Sequence, residues 1–467
     1  MSPPNILLIM TDQHHAGCVG YRGHPDVKTP HIDRLADTGV RFDEAFVCHG
    51  TCVPSRVSYL TGMWPHAHGV YAGEPNPIPD RLLSLPAWLQ IFGYRTAIVG
   101  KKHLPNWNTH GFQYERVCYT ADAPTRKLHY YNYLQSHGLH ACYDHLGDVE
   151  KFCLGAEAVP VEHSLENWTA DETIRYLREE TGESPFFLMT SFERPQPPLS
   201  VPTGCPFVFD PDALVLPENQ EDADSAFFVN RNVELQWRAS VHGEGVLRQA
   251  LAAYYSLISL IDHNVGRILD CLGEQGLREN TLVVFCADHG DFAGEYGRMA
   301  KGFPYDAMHR VPFVWHWPGR LREGKVEEGF VQNTDFFPTV CDLAGLPVPR
   351  SVQGESLKDC LVGDASPDRD AVFFETPCIK TVRTKTHKLN YAFTRDGEVG
   401  ELFDLTADPH EYCNVYSHPR SAPMREALQR RLLDWWVSSQ QPPNFSATNE
   451  RYPSARWFDE KPNRRIE

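Results

Sequence analysis

"CHGTCVPSRVSYLTG", Cys48 to Gly62, carries two thiols four residues apart and then turns into a helical pattern. Pro54 suits the first turn of a helix, because it has no N–H to lose there. Ser55, Arg56, Ser58 and Thr61 follow it. This places Cys52 at a helix N-terminus, where unpaired N–H groups and the helix dipole favour an anion. A cysteine so placed has a lowered pKa. The alternative is a thiol that merely packs in the loop, and the residues around it decide between the two.

Working outward, four short apolar runs read as buried parallel strands. They are "NILLIM" (5–10), "RTAIVG" (95–100), "PFFLMT" (185–190) and "TLVVFC" (281–286). Helical patterns precede the last three: "LLSLPAWLQIFG", "WTADETIRYLREE" and "LRQALAAYYSLISLIDHNVGRILDCLGEQG". Strands alternating with helices predict an α/β fold, a mostly parallel sheet flanked by helices. After a connector rich in Pro, Gly and Asp near residue 345 come shorter strand-like pieces and a last helix, "MREALQRRLLDWW". Residues 1–365 are expected to form the catalytic α/β domain, and 366–467 a smaller C-terminal α+β unit with an irregular tail. The Pro-rich tail after Gln440 suits packing on the body or on a second copy in a homo-oligomer.

The 467 residues are 42% hydrophobic, so a large core is available, and the net charge is −17. An acidic surface argues against a nucleic-acid partner. No stretch approaches the roughly 18–20 apolar residues of a membrane span. The N-terminal run Ile6 to Met10 is too short for a signal-peptide core. No membrane contact and a cytoplasmic location are therefore expected. Thirteen scattered cysteines without a CxxC indicate neither a zinc ribbon nor a thioredoxin-like site.

In open α/β sheets, ligands bind beyond the carboxyl ends of the strands. Asp12 and Gln13 follow the first strand, Lys101 and His103 the second, Gln196 the third, and Asp288 and His289 the fourth. Asp12, Gln13, Asp288 and His289 offer two carboxylates, an amide oxygen and an imidazole. Such a set suits a divalent cation with mostly oxygen ligands. The competing reading is an Asx turn at Asp12 and a loop turn at 288–290.

At this point a resemblance enters. "CVPSR" and its extension "SYLTGMWPHAHGV" resemble the first signature of the sulfatase family, and "GYRTAIVGKKHL" the second. "NILLIMTDQ", "VVFCADHG", "KGFPYDAMHRVPFVW" and "ELFDLTADPHEYCNV" are similar to further family blocks, in family order. The resemblance implies an alkaline-phosphatase-like fold and a sulfuric ester hydrolase. It implies that a separate formylglycine-generating enzyme oxidises Cys52 to formylglycine, whose hydrated form attacks sulfur. It implies one divalent ion on Asp12, Gln13, Asp288 and His289, with Ca²⁺ first and Mn²⁺ or Mg²⁺ as alternatives. Arg56 would hold the formylglycine, Lys101 and Lys301 would contact the ester oxygens, and His103 would be the base beside the gem-diol. His68 and Gln196 would line the substrate pocket.

Two departures stand out. Gln196 falls where many sulfatases carry a histidine near the leaving-group oxygen; an amide can donate a hydrogen bond but cannot deliver a proton. Gln13 and His289 stand where many arylsulfatases have Asp and Asn, and a Gln in that place also occurs in choline-sulfatase-like and phosphonate-monoesterase-like relatives. A phosphate or phosphonate ester hydrolase is therefore the alternative, and a catalytically silent binding protein a third reading. Specificity is expected in loops around 104–165 and 200–245, with Trp107, Tyr130, Tyr131 and Trp237 as stacking candidates. No basic stripe marks a long polyanion, which favours a small sulfate ester.

Overall fold

All eight residues of strand β1 (Asn5–Asp12) are buried, as expected of a strand covered on both faces. The computed structural model of the protein describes residues 3–71, 78–79, 82–104, 110–119, 128–141, 155–179, 184–218, 243–395 and 397–440. β1 lies in the middle of an eight-stranded sheet. The other strands are β2 (Val40–Phe42), β3 (Arg95–Lys101), β4 (Tyr114–Tyr119), β5 (Phe186–Pro195), β6 (Thr281–Ala287), β7 (Phe313–His316) and β8 (Lys325–Glu327). Their order is β8-β2-β7-β6-β1-β5-β3-β4. β1 pairs in parallel with both β5 and β6, so their carboxyl ends open on one edge. β7 alone runs antiparallel to its neighbours.

Alternation along β1 assigns the two faces. Ile6, Leu8 and Met10 share a core with helices α2 (Cys52–Thr61), α3 (Leu85–Ile91) and α6 (Phe336–Ala344). Leu7 and Ile9 pack instead with α1 (Pro30–Asp37), α4 (Leu165–Glu179) and α5 (Glu244–Glu274). The result is a doubly covered, mostly parallel α/β sheet, as the alternating pattern predicts.

The third apolar run extends further than its sequence suggests. β5 continues to Pro195, because Met10 still pairs with Ser191 and Asp12 with Pro195. Downstream, an antiparallel sheet follows chain order: β9 (Ala371–Glu375), β10 (Ile379–Thr384), β11 (His387–Thr394) and β12 (Gly397–Asp404). Helix α7 (Ala422–Ser438) covers it through Leu428, Leu432 and Trp435, and Trp64 joins that cluster. Trp435 stacks on Phe373 at 4.8 Å. Trp107, Trp237 and the tail beyond Gln440 lie outside the described residues. Tyr130 and Tyr131 are buried, and Tyr130 packs on Trp168, so both belong to the core. Among the described residues no helix is long and apolar enough to cross a membrane.

Candidate active site

Helix α2 begins at Cys52, with extended Thr51 before it and left-handed Gly62 closing its C-terminus. No side chain caps the first turn. The helix is buried on every side, so its polar residues need internal partners. Ser55 donates to the Asp288 carbonyl, and Arg56 is completely enclosed. Arg56 Nη2 donates to Asp12 Oδ2 at 3.0 Å and its Nε to Asp288 Oδ2 at 2.8 Å. Its Nη1 donates to Ser191 Oγ and to the Lys101 carbonyl. One guanidinium thus ties four strand ends together.

Each carboxylate gives one oxygen to Arg56 and leaves the other facing inward. Asp12 Oδ1 is 3.8 Å from His289 Nε2, and Asp288 Oδ1 is 3.6 Å from the same nitrogen. His289 Nδ1 lies 2.9 Å from the Gly290 carbonyl, which can only accept. Nδ1 therefore carries a proton, and Lys301 Nζ, which can only donate, lies 3.2 Å from Nε2, so Nε2 turns a lone pair inward. Gln13 adopts a left-handed conformation (φ 63°) directly after β1. Its Nε2 donates to Asp291, while its buried Oε1 has no hydrogen-bond partner. Asp12, Cys52, Asp288 and His289 offer ligand atoms within 4.8 Å of one another. Two inward carboxylate oxygens, a lone-pair imidazole and an orphaned amide oxygen fit a divalent cation well.

Cys52 Sγ faces this group, 3.6 Å from Asp12 Oδ1 and 3.2 Å from His289 Nε2. Lys301 Nζ lies 2.9 Å from the same sulfur, and His103 also hydrogen-bonds to Cys52. Burial and Asp12 oppose ionisation of the thiol, but Lys301 and Lys101 hold its pKa well below the usual range. Asp12 is also held low: burial would raise it, but Lys101, Lys301 and Arg56 outweigh that. Gln196 Oε1 accepts from Lys101 Nζ at 2.9 Å and from Lys301 Nζ at 3.1 Å, bridging the two ammonium groups.

His68 does not join this group. Its Nδ1 accepts from the Val70 N–H and its Nε2 bonds Ser58 Oγ, so both ring nitrogens are taken behind α2. Burial drives its pKa down to about 3, which keeps it neutral. The other ten residues singled out from sequence come together. They open on a cleft of about 460 Å³ whose walls also include His49, Thr51, Tyr71, Phe303, His309 and Pro377. Pro377 belongs to the β9–β10 turn, so the C-terminal sheet supplies part of the wall.

The chain matches the family model "Sulfatase" over residues 4–346 and the N-sulphoglucosamine sulphohydrolase C-terminal model over residues 294–437. It is 32% identical to an arylsulfatase of Clostridium perfringens, over 92% of this chain and 94% of that protein. It is 28% identical to an ulvan-active sulfatase of Formosa agariphila, over 92% of this chain and 80% of that protein. Its fold superposes on the phosphonate monoester hydrolase of Agrobacterium radiobacter with a TM-score of 0.81, at 26% identity, covering 93% and 96% of the two chains. Fold and matches together define a hydrolase of the alkaline phosphatase superfamily. Within it, the chain belongs to the sulfatase family and is a sulfatase, an enzyme of sulfate ester hydrolysis.

Proposed function

We propose that the protein hydrolyses a small sulfate monoester at Cys52 after a formylglycine-generating enzyme has converted that residue to formylglycine. The observation that carries this reading is the setting of Cys52 Sγ: a helix N-terminus, 2.9 Å from Lys301 Nζ, facing Asp12 and His289. When present, the hydrated aldehyde supplies the nucleophile and a divalent cation on Asp12, Gln13, Asp288 and His289 supplies Lewis-acid activation. Ca²⁺ is the first candidate, with Mn²⁺ or Mg²⁺ as alternatives.

The chain's own residues do the rest. Lys101 and Lys301 offer ammonium groups to the sulfate oxygens, where their charge counts most as negative charge shifts in the transition state. Gln196 holds both lysines in register through one shared oxygen. His103, hydrogen-bonded to Cys52, is placed to take a proton from residue 52 as sulfate leaves. Arg56 orients both inward-facing carboxylates and favours their ionised form against burial.

A phosphonate or phosphate ester hydrolase is the second reading. Gln13 in place of a carboxylate and the likeness to the Agrobacterium radiobacter phosphonate monoester hydrolase favour it. Parallel kinetics of matured enzyme on matched aryl sulfate and aryl phosphonate esters separate the two. The first reading expects the higher kcat/KM on the sulfate; the reverse order favours the second.

A further inference from the structure

Thr51, the residue before Cys52, lines the cleft. Its hydroxyl oxygen lies 2.9 Å from His49 Nδ1, and its backbone N–H donates to the same nitrogen at 3.2 Å. A backbone N–H can only donate, so this Nδ1 carries no proton. The hydroxyl beside it must then be a donor too. Burial drives the His49 pKa down to about 3, so the ring stays neutral with its one proton on Nε2. That Nε2 is buried and has no hydrogen-bond partner. An apolar side chain would fill the space without stranding a donor. What the imidazole achieves is done by its other nitrogen, on Thr51.

With its proton committed to His49, the Thr51 oxygen has only lone pairs left for the cleft. Two neighbouring cleft groups are donors, while His309, whose Nδ1 donates to the Tyr305 carbonyl, offers a second acceptor at Nε2. Lys301 presents an ammonium, and Gln196 has its carbonyl occupied by the two lysines, which leaves its NH₂. Donors read sulfate oxygens, and an acceptor cannot. An acceptor placed among them reads an O–H or N–H on the group that carries the sulfate. Tyr71, Phe303 and Pro377 add apolar wall for the ring that bears such a donor.

We propose that Thr51, held by His49 as a hydrogen-bond acceptor, selects sulfate esters whose alcohol carries a hydroxyl or N–H donor next to the ester oxygen. Thr51 is the specificity-determining residue and His49 its positioning residue. The inference rests on the sulfatase reading above and names the substrate class of that same site.

Catechol monosulfate and phenyl sulfate differ by one hydroxyl beside the ester, and their kcat/KM ratio on matured enzyme tests the inference. The parent prefers catechol monosulfate. Thr51→Val keeps the shape, loses the oxygen and lowers the ratio about tenfold; Thr51→Ser keeps the ratio. If Thr51→Val does not fold, Thr51→Ala reads the same quantity. His49→Leu lowers the ratio, and His49→Asn, whose carbonyl oxygen can stand where Nδ1 stood, restores it. A merely structural role for His49 would lower both rates together and leave the ratio alone. An unchanged ratio in the Thr51 variants, with a parent active on both esters, overturns this inference and leaves the sulfatase reading standing. A parent inactive on both sulfate esters overturns the small-ester reading proposed above and this inference with it.

Discussion

Lys301 Nζ lies 2.9 Å from Cys52 Sγ. The same ammonium bonds Gln196 and lies 3.9 Å from Asp12 Oδ1, so it flanks both Cys52 and Asp12. On the function proposed above, a sulfate ester entering the cleft would meet this charge where its own charge is redistributed. Lys301→Ala is therefore expected to lower kcat/KM on an aryl sulfate by about 10²–10³-fold. Steady-state kinetics on matured protein check this, and a loss below about threefold would remove Lys301 from the transition state.

Gln196 is held by its oxygen to both lysines and offers no dissociable proton to a departing alcohol. The parent should then depend steeply on the leaving-group pKa. Gln196→His supplies an imidazole and is expected to flatten a plot of log kcat/KM against that pKa. Gln196→Ala removes the oxygen that the two lysines share and is expected to slow every ester about tenfold without changing the slope. An unchanged slope in the histidine variant would place Gln196 away from the leaving oxygen.

The parallel centre of the sheet was legible because β1, β3, β5 and β6 are buried on both faces and read as unbroken apolar runs. β2, β7 and β8 have three or four residues each, too few to leave a period, and their partners lie far away in sequence. The site shows the same division. Residues at or directly after strand ends, such as Asp12 and Asp288, could be grouped because topology places strand ends together. His49, Tyr71, His309 and Pro377 reach the cleft through tertiary packing, with no strand-end position or local pattern to mark them. His68 lies within a family signature, yet the geometry turns it to Ser58, which no spacing reveals.

Arg56 is enclosed with two carboxylates, Asp12 and Asp288. Removing one side of a buried ion pair leaves uncompensated charge, at a cost of about 3–5 kcal/mol. Arg56→Ala is expected to lose that much in urea unfolding at pH 7, measured with EDTA present so that metal binding does not contribute. A loss under about 1 kcal/mol would mean that the carboxylates find other partners.

Glu375 sits under the cleft wall, bonded by His66, Tyr71 and Lys380. Burial alone would raise its pKa, but the His66 hydrogen bond and the Lys380 charge bring it from 4.5 down to about 2. A depressed folded-state pKa stabilises fully above the unfolded value and loses that contribution as pH falls through the folded one. Between about pH 4.5 and pH 2 the protein should thus lose about 3 kcal/mol through this group. Urea midpoints across that range should fall less steeply in Glu375→Gln. Identical slopes would contradict the assignment.

The central claim is that residue 52 works as formylglycine, and a mass spectrum of the proteolytic peptide spanning Cys52 tests it most directly. Protein made alongside a formylglycine-generating enzyme should show the cysteine sulfur replaced by an aldehyde oxygen, in a form that reacts with a hydrazine probe. Cys48, buried in the cluster beneath α7, should remain a thiol in the same peptide. An unmodified thiol at Cys52 in enzyme that still hydrolyses the ester would contradict the account.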